Sequence, residues 1–120
     1  MAVVTERVQP AEFLITEANG DLSRAEIVVI TGQNLAAGAV LGKITASGKY
    51  TAYDNASALG PEVAAGILIH PVDATSADQK GAAIVRHAEV DGDMLNWGAM
   101  AGGDITAGIA DLLTQDIVVR

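Results

Sequence analysis

The apolar residues of this chain arrive in short runs, each cut off by a turn former before a long helix can develop. Ile27-Val28-Val29-Ile30 ends at Thr31-Gly32, Val40-Leu41 is bracketed by Gly38 and Gly42, and the run from Val63 to His70 stops at Pro71. Runs of this length, rich in β-branched residues and bounded by Gly or Pro, read as strands. Lys43-Ile44-Thr45-Ala46 alternates outward and inward residues, Ser47-Gly48 supplies a two-residue hairpin turn, and Lys49-Tyr50-Thr51-Ala52-Tyr53 returns. Ala82 to Val90 alternates in the same way, closed by an acidic Asp91-Gly92 hairpin turn, with Met94-Leu95 as the candidate return.

One segment has a different period. Ile105, Ile109, Leu112 and Leu113 recur at helical spacing, and Asp104 or Thr106 can cap the start. Gly108 inside it costs about 1 kcal/mol relative to Ala, and roughly ten residues do not hold a helix in isolation. This helix therefore has to pack on the sheet. Ile117-Val118-Val119 reads as a terminal strand. The fold class that follows is mainly β with one short C-terminal helix, the body a small barrel or sandwich.

Residues 1–20 read differently from 21–120. Val3-Val4 and Phe13-Leu14-Ile15 are small apolar clusters separated by Thr5, Glu6, Arg7, Gln9 and Pro10. Pro10 withholds a ladder donor and biases Gln9 toward extended geometry. Asn19-Gly20-Asp21 marks a turn, since Asn and Gly tolerate positive φ. The segment reads as an extended N-terminal arm joined to a single β-rich domain. The alternative is that Phe13-Leu14-Ile15 forms an ordinary first strand of the body.

Composition removes several function classes. At 120 residues the chain suits one domain. A formal charge of −8 argues against nucleic acid, whose phosphates need clustered Lys and Arg. Four aromatics, Phe13, Tyr50, Tyr53 and Trp97, are too few for stacking platforms. With no cysteine there is no disulfide scaffold, thiolate zinc site or cysteine nucleophile. No stretch is long and apolar enough for a bilayer, and Met1 to Arg7 lacks the pattern of a signal peptide, so synthesis in the cytoplasm is expected.

Motifs that carry chemistry are weak. His70 precedes Pro71 at a strand end, and His87 lies between Arg86 and Glu89 in an alternating strand, both better suited to structural or solvated roles than to general-base or metal work. Asp91-Gly92-Asp93 is followed by Met94-Leu95-Asn96-Trp97, which offers too few oxygens for calcium. Gly38-Ala39-Val40-Leu41-Gly42-Lys43-Ile44 has one residue too few between its glycines for a phosphate loop, and Ile44 stands where a Ser or Thr belongs. Trp97 reads as a packing anchor. No cofactor or metal site is expected. What stands out is apolar surface, thirteen glycines and an apolar arm, which fit a module that buries surface against copies of itself or a larger partner.

An ordered set of segments carries a family resemblance. Glu17 to Arg24, Ala37 to Tyr50, Ala65-Gly66-Ile67-Leu68, Val85-Arg86-His87-Ala88-Glu89-Val90 and Ile117-Val118-Val119-Arg120, spanning residues 13–120, resemble the lambda-type head decoration proteins of tailed phages. That family usually starts its terminal strand with Gly, whereas Asp116 precedes Ile117 here. The resemblance implies a non-enzymatic homotrimer on the outer surface of the expanded virion head, at three-fold and quasi-three-fold positions, that clamps major capsid protein subunits against the pressure of packaged DNA. It implies an arm that orders on the shell, for which Val3, Val4, Thr5, Val8, Phe13, Leu14 and Ile15 are the candidate contacts. Two other classes stay open from the residues. One is a small β-domain that binds or carries a ligand near Lys43 or Lys49. The other is a hydrolase built on His70 or His87.

Overall fold

The computed structural model describes residues 11–20, 22–98, 100 and 102–120. Val3, Val4, Thr5 and Val8 lie outside the described residues. The elements in chain order are β1 (Leu14–Glu17), β2 (Arg24–Val29), β3 (Gln33–Leu35), β4 (Val40–Lys43), β5 (Tyr50–Ala52), β6 (Ala64–Leu68), β7 (Val72–Ala74), β8 (Gln79–Ile84) and β9 (Ala88–Val90). A 3-10 turn at Gly92–Met94, the helix α1 (Gly102–Leu113) and β10 (Ile117–Val119) complete the chain. Five strands close a barrel in the order β2-β5-β4-β6-β8, the joint between β2 and β5 made by Val29 and Tyr50. The fold is mainly β with one C-terminal helix, as the pattern of apolar runs requires.

Alternation along the strands makes two cores from one barrel wall. On β8, Ala83 packs with Ile27, Val29, Leu41 and Leu68 in the barrel interior. Its neighbour Ile84 points the other way, into a second cluster with Val40, Ile67, Leu112 and Ile117. Side chains on a strand face opposite sides in turn, so the outer wall of β4, β6 and β8 is as apolar as the inner one. It is covered by α1 and by a three-stranded sheet in the order β1-β9-β10. In that sheet β9 pairs antiparallel with β1 and parallel with β10. The helix does pack on the sheet, through the buried Gly108 and Leu112.

Several local expectations change. Residues 44 and 49 still pair, Ile44 N–H donating to the Lys49 carbonyl at 2.8 Å, so the hairpin loop is four residues rather than two, with Gly48 at φ 73. The run from Ala82 to Val90 is not one strand: β8 ends at Ile84, the chain turns through His87 at φ 50, and β9 joins the other sheet. Ser23, fully buried, pins that corner by accepting from Ala18 N–H at 2.9 Å and donating to the His87 carbonyl at 2.8 Å. Asp91-Gly92 opens the 3-10 turn instead of a hairpin, Asp91 capping it through Asp93 N–H, and Met94-Leu95 does not return. α1 begins at Gly102, and the Thr106 hydroxyl donates back to the Gly102 carbonyl rather than capping.

The turn from helix to terminal strand survives without the family's glycine. Asp116 sits at φ 60, a left-handed conformation that Asp tolerates better than most L residues. Its carboxylate lies 3.5 Å from His87 Nδ1.

Candidate functional site

The residues with catalytic potential are dispersed. His70 is exposed just past the C-terminal end of β6, whereas His87 lies beyond the C-terminal end of β8, which runs antiparallel to β6. The two imidazoles therefore belong to opposite ends of the barrel. Among the described residues no group of three or more His, Asp or Glu gathers as metal ligands would. Gly42 has a packing reason: a Cβ there would lie 2.5 Å from the Pro61 Cα. Lys43 sits 6.0 Å from the centre of the Tyr50 ring, and Lys49 pairs with Asp78 at 2.5 Å, holding that carboxyl below its usual range with help from Thr31 N–H.

Trp97 is an anchor. Its ring meets Tyr53 edge-on, 5.8 Å between centroids and 77° between planes, and lies over Gly108 of α1. A groove of about 540 Å³ runs beside it, lined among others by Leu35, Tyr53, Leu59, Trp97 and Met100.

The apolar residues expected in the arm divide. Phe13 is fully enclosed in the cluster with Val40, Ile67 and Leu112, so it is a body residue. Leu14 packs partly against the same cluster, and β1, which it opens, pairs with β9. The first-strand alternative thus describes residues 14–17. Ile15 differs from both: the register shifts between Leu14 and Thr16, and the side chain of Ile15 is 49 % exposed. A bulge of this kind frees one residue from the ladder and re-aims it.

Ile15 stands on an edge strand, because β1 and β10 flank β9 in the three-stranded sheet. Across the outer face, Thr16 and Val118 both lie opposite Glu89. Glu89 accepts from the Thr16 hydroxyl at 3.2 Å and pairs with Arg120 at 3.2 Å. At the end of β1 the Arg24 guanidinium bonds both oxygens of Glu17, at 2.8 and 2.9 Å, and holds that carboxyl below its usual range. The sheet thus presents a polar ladder with an exposed apolar residue at each side, Ile15 and Val118. An edge of this type is a template for a further strand.

A family model settles the class. That of bacteriophage lambda head decoration protein D matches residues 3–117. The chain belongs to this family. No curated protein matches it closely enough to be counted as a relative. The match takes in residues 3–10 together with the body, so the segment before β1 belongs to the family's common sequence. Head decoration proteins are structural components of the phage head.

The sequence reading missed the bulge at Ile15 and the burial of Phe13. No signal in the sequence separates the two, since a two-residue period places Phe13 and Ile15 on one face, whereas Phe13 precedes β1 and is enclosed and Ile15 sits at the register shift.

Proposed function

We propose that the protein binds as a homotrimer to the outside of the expanded phage head, at three-fold and quasi-three-fold positions, and fastens neighbouring major capsid subunits against the pressure of packaged DNA. The single observation that supports this most is the match to the head decoration family over residues 3–117. Residues 1–10 are the shell-binding arm in this reading, with Val3, Val4, Thr5 and Val8 as contacts and Ile15 extending the contact onto the body.

The physical mechanism is strand addition multiplied by symmetry. Ordering a segment costs about 1–2 kcal/mol per residue, so one short arm gains little net affinity. Three arms on one trimer act together: once the first docks, the others bind at raised effective concentration, worth about 10²–10⁴-fold in avidity. A subunit that straddles a joint resists its opening because the joint cannot part without breaking these contacts.

The test is co-sedimentation with empty expanded heads. A chain lacking residues 1–10 keeps Phe13 and β1, folds, and fails to sediment with the heads; undiminished binding would refute the arm. Val4→Asp weakens attachment more than Glu6→Gln. The reverse order would mean that charge, not burial, holds the arm.

A further inference from the structure

Four of the six large apolar side chains exposed among the described residues, Leu22, Leu59, Val63 and Leu113, come from three separate parts of the chain, Leu59 and Val63 sharing the loop before β6. The topology brings them to one end of the barrel. Arg24 lies opposite Ile84, and Ile84 opposite Ile67. Two residues outward, Leu22, Arg86 and Ala65 therefore stand level, with Val63 just beyond. Gly42 of β4 pairs with Ala64, and Leu59 joins behind it, its carbonyl accepting from Thr45 N–H at 3.0 Å. The last turn of α1 is bracketed at the same end. The Asp111 carboxylate accepts from Ala64 N–H at 3.1 Å, the Gln115 carbonyl accepts from His87 N–H at 3.2 Å, and Leu113 lies between.

This end carries opposite charges on opposite flanks. Arg86 stands on the β8 flank, donating to the Leu22 carbonyl at 2.7 Å, and among the described residues no carboxylate is within ion-pair reach of it. Glu62 stands on the loop flank beside Val63, where one oxygen accepts from Gly60 N–H at 2.7 Å. In a cyclic trimer the contacts are heterologous, one flank of each copy meeting the other flank of the next. A cation on one flank and a carboxylate on the other satisfy that arrangement. Position supports it too. Ala11, whose N–H donates to the Ile69 carbonyl at 3.2 Å, lies at the far end of β6, while the apolar end lies at the start of β6.

We infer that this end of the barrel faces the three-fold axis, with Leu22 and Arg86 of one copy seated on Leu59, Glu62 and Val63 of the next. The inference rests on the trimer reading above and assigns its interface. Three copies arranged this way hold their apolar ends together and keep Ala11, at the other end of β6, away from the axis.

Light scattering across a concentration series tests the assignment, with near-ultraviolet circular dichroism of Trp97 as the check on folding. The wild-type chain gives three times the chain mass. Leu59→Asp, at a position 71 % exposed in the single chain and so free to accept charge, gives the single mass. Arg86→Glu raises the dissociation midpoint at least about tenfold, and adding Glu62→Arg restores it. Val118→Asp, on the other exposed apolar face, leaves the mass unchanged. A wild-type trimer that neither Leu59→Asp nor the charge exchange disturbs overturns this interface alone. A Leu59→Asp trimer that no longer sediments with expanded heads gives the surface to the shell and overturns it equally. A wild-type chain of single mass throughout overturns the trimer reading beneath it.

Discussion

Gly108 is a residue whose helix propensity and packing point in opposite directions. As an isolated helical position it favours Ala by about 1 kcal/mol. In the fold a Cβ there would lie 2.4 Å from Trp97 Cζ3 and 3.1 Å from Tyr53 Cε2. Overpacking of this kind costs about 1–3 kcal/mol, so Gly108→Ala destabilises by about 1 kcal/mol net, read as a lower urea midpoint together with altered Trp97 fluorescence. Tyr53, on the other side of that contact, is buried and donates its hydroxyl to the Asp104 carbonyl at 2.8 Å. Burial pushes its phenol above the ordinary 10.0, with Asp111, Asp104 and Asp54 adding to the effect. A raised folded-state pKa means that stability is full below pH 10 and is lost as pH rises from there through the folded value, because the unfolded chain ionises first. Tyr53→Phe therefore costs about 1 kcal/mol at pH 7 for the lost hydrogen bond. It also narrows the stability difference between pH 7 and pH 11, measured by urea unfolding at both. From the sequence Gly108 reads only as a cost, because nothing in a helical repeat announces which ring will lie across it.

At the scale of elements, β1 decides where the arm ends and the body begins. Its pairing with β9 and the enclosure of Phe13 tie residues from 11 onward to the same core that α1 covers. Phe13→Ala is thus a core truncation that costs about 3–5 kcal/mol, visible as a large fall in the thermal midpoint. Phe13→Leu loses less. If instead Phe13→Ala left stability intact and abolished shell binding, the residue would belong to the arm after all. The strands β2, β4, β5 and β6 were legible because each is an apolar or alternating run closed by its own turn residues, whereas β3 and β7, three residues each, carry no such run and were not legible. The boundary at β1 was not, since Phe13-Leu14-Ile15 is equally consistent with an arm and a strand until a partner is known. β9 was hidden for a related reason. Its alternation continues that of β8, and the break between them is made by His87 at φ 50 and by Ser23 bonding across the corner, both long-range matters.

At the scale of the whole molecule, two apolar layers share one barrel wall, and among the described residues the large apolar side chains that remain exposed are gathered in two places. One is the outer face of the β1-β9-β10 sheet with Ile15 and Val118, the other the barrel end with Leu22, Leu59, Val63 and Leu113. With a net charge of −8 separate copies repel one another, so close association needs local apolar contact and matched charges at such places. The sequence by itself determined the β class, the helix near the end and the terminal strand, since these follow from periods of two and 3.6 and from turn residues within a few positions of one another; the family it marked through the ordered set of segments that resemble head decoration proteins. Only the tertiary structure decided the closure of the barrel, the inclusion of Phe13 in the core and the convergence of Leu22, Leu59, Val63 and Leu113. Those depend on which strands pair and in what register, and that is a property of residues far apart in the chain, chosen by the burial they achieve together.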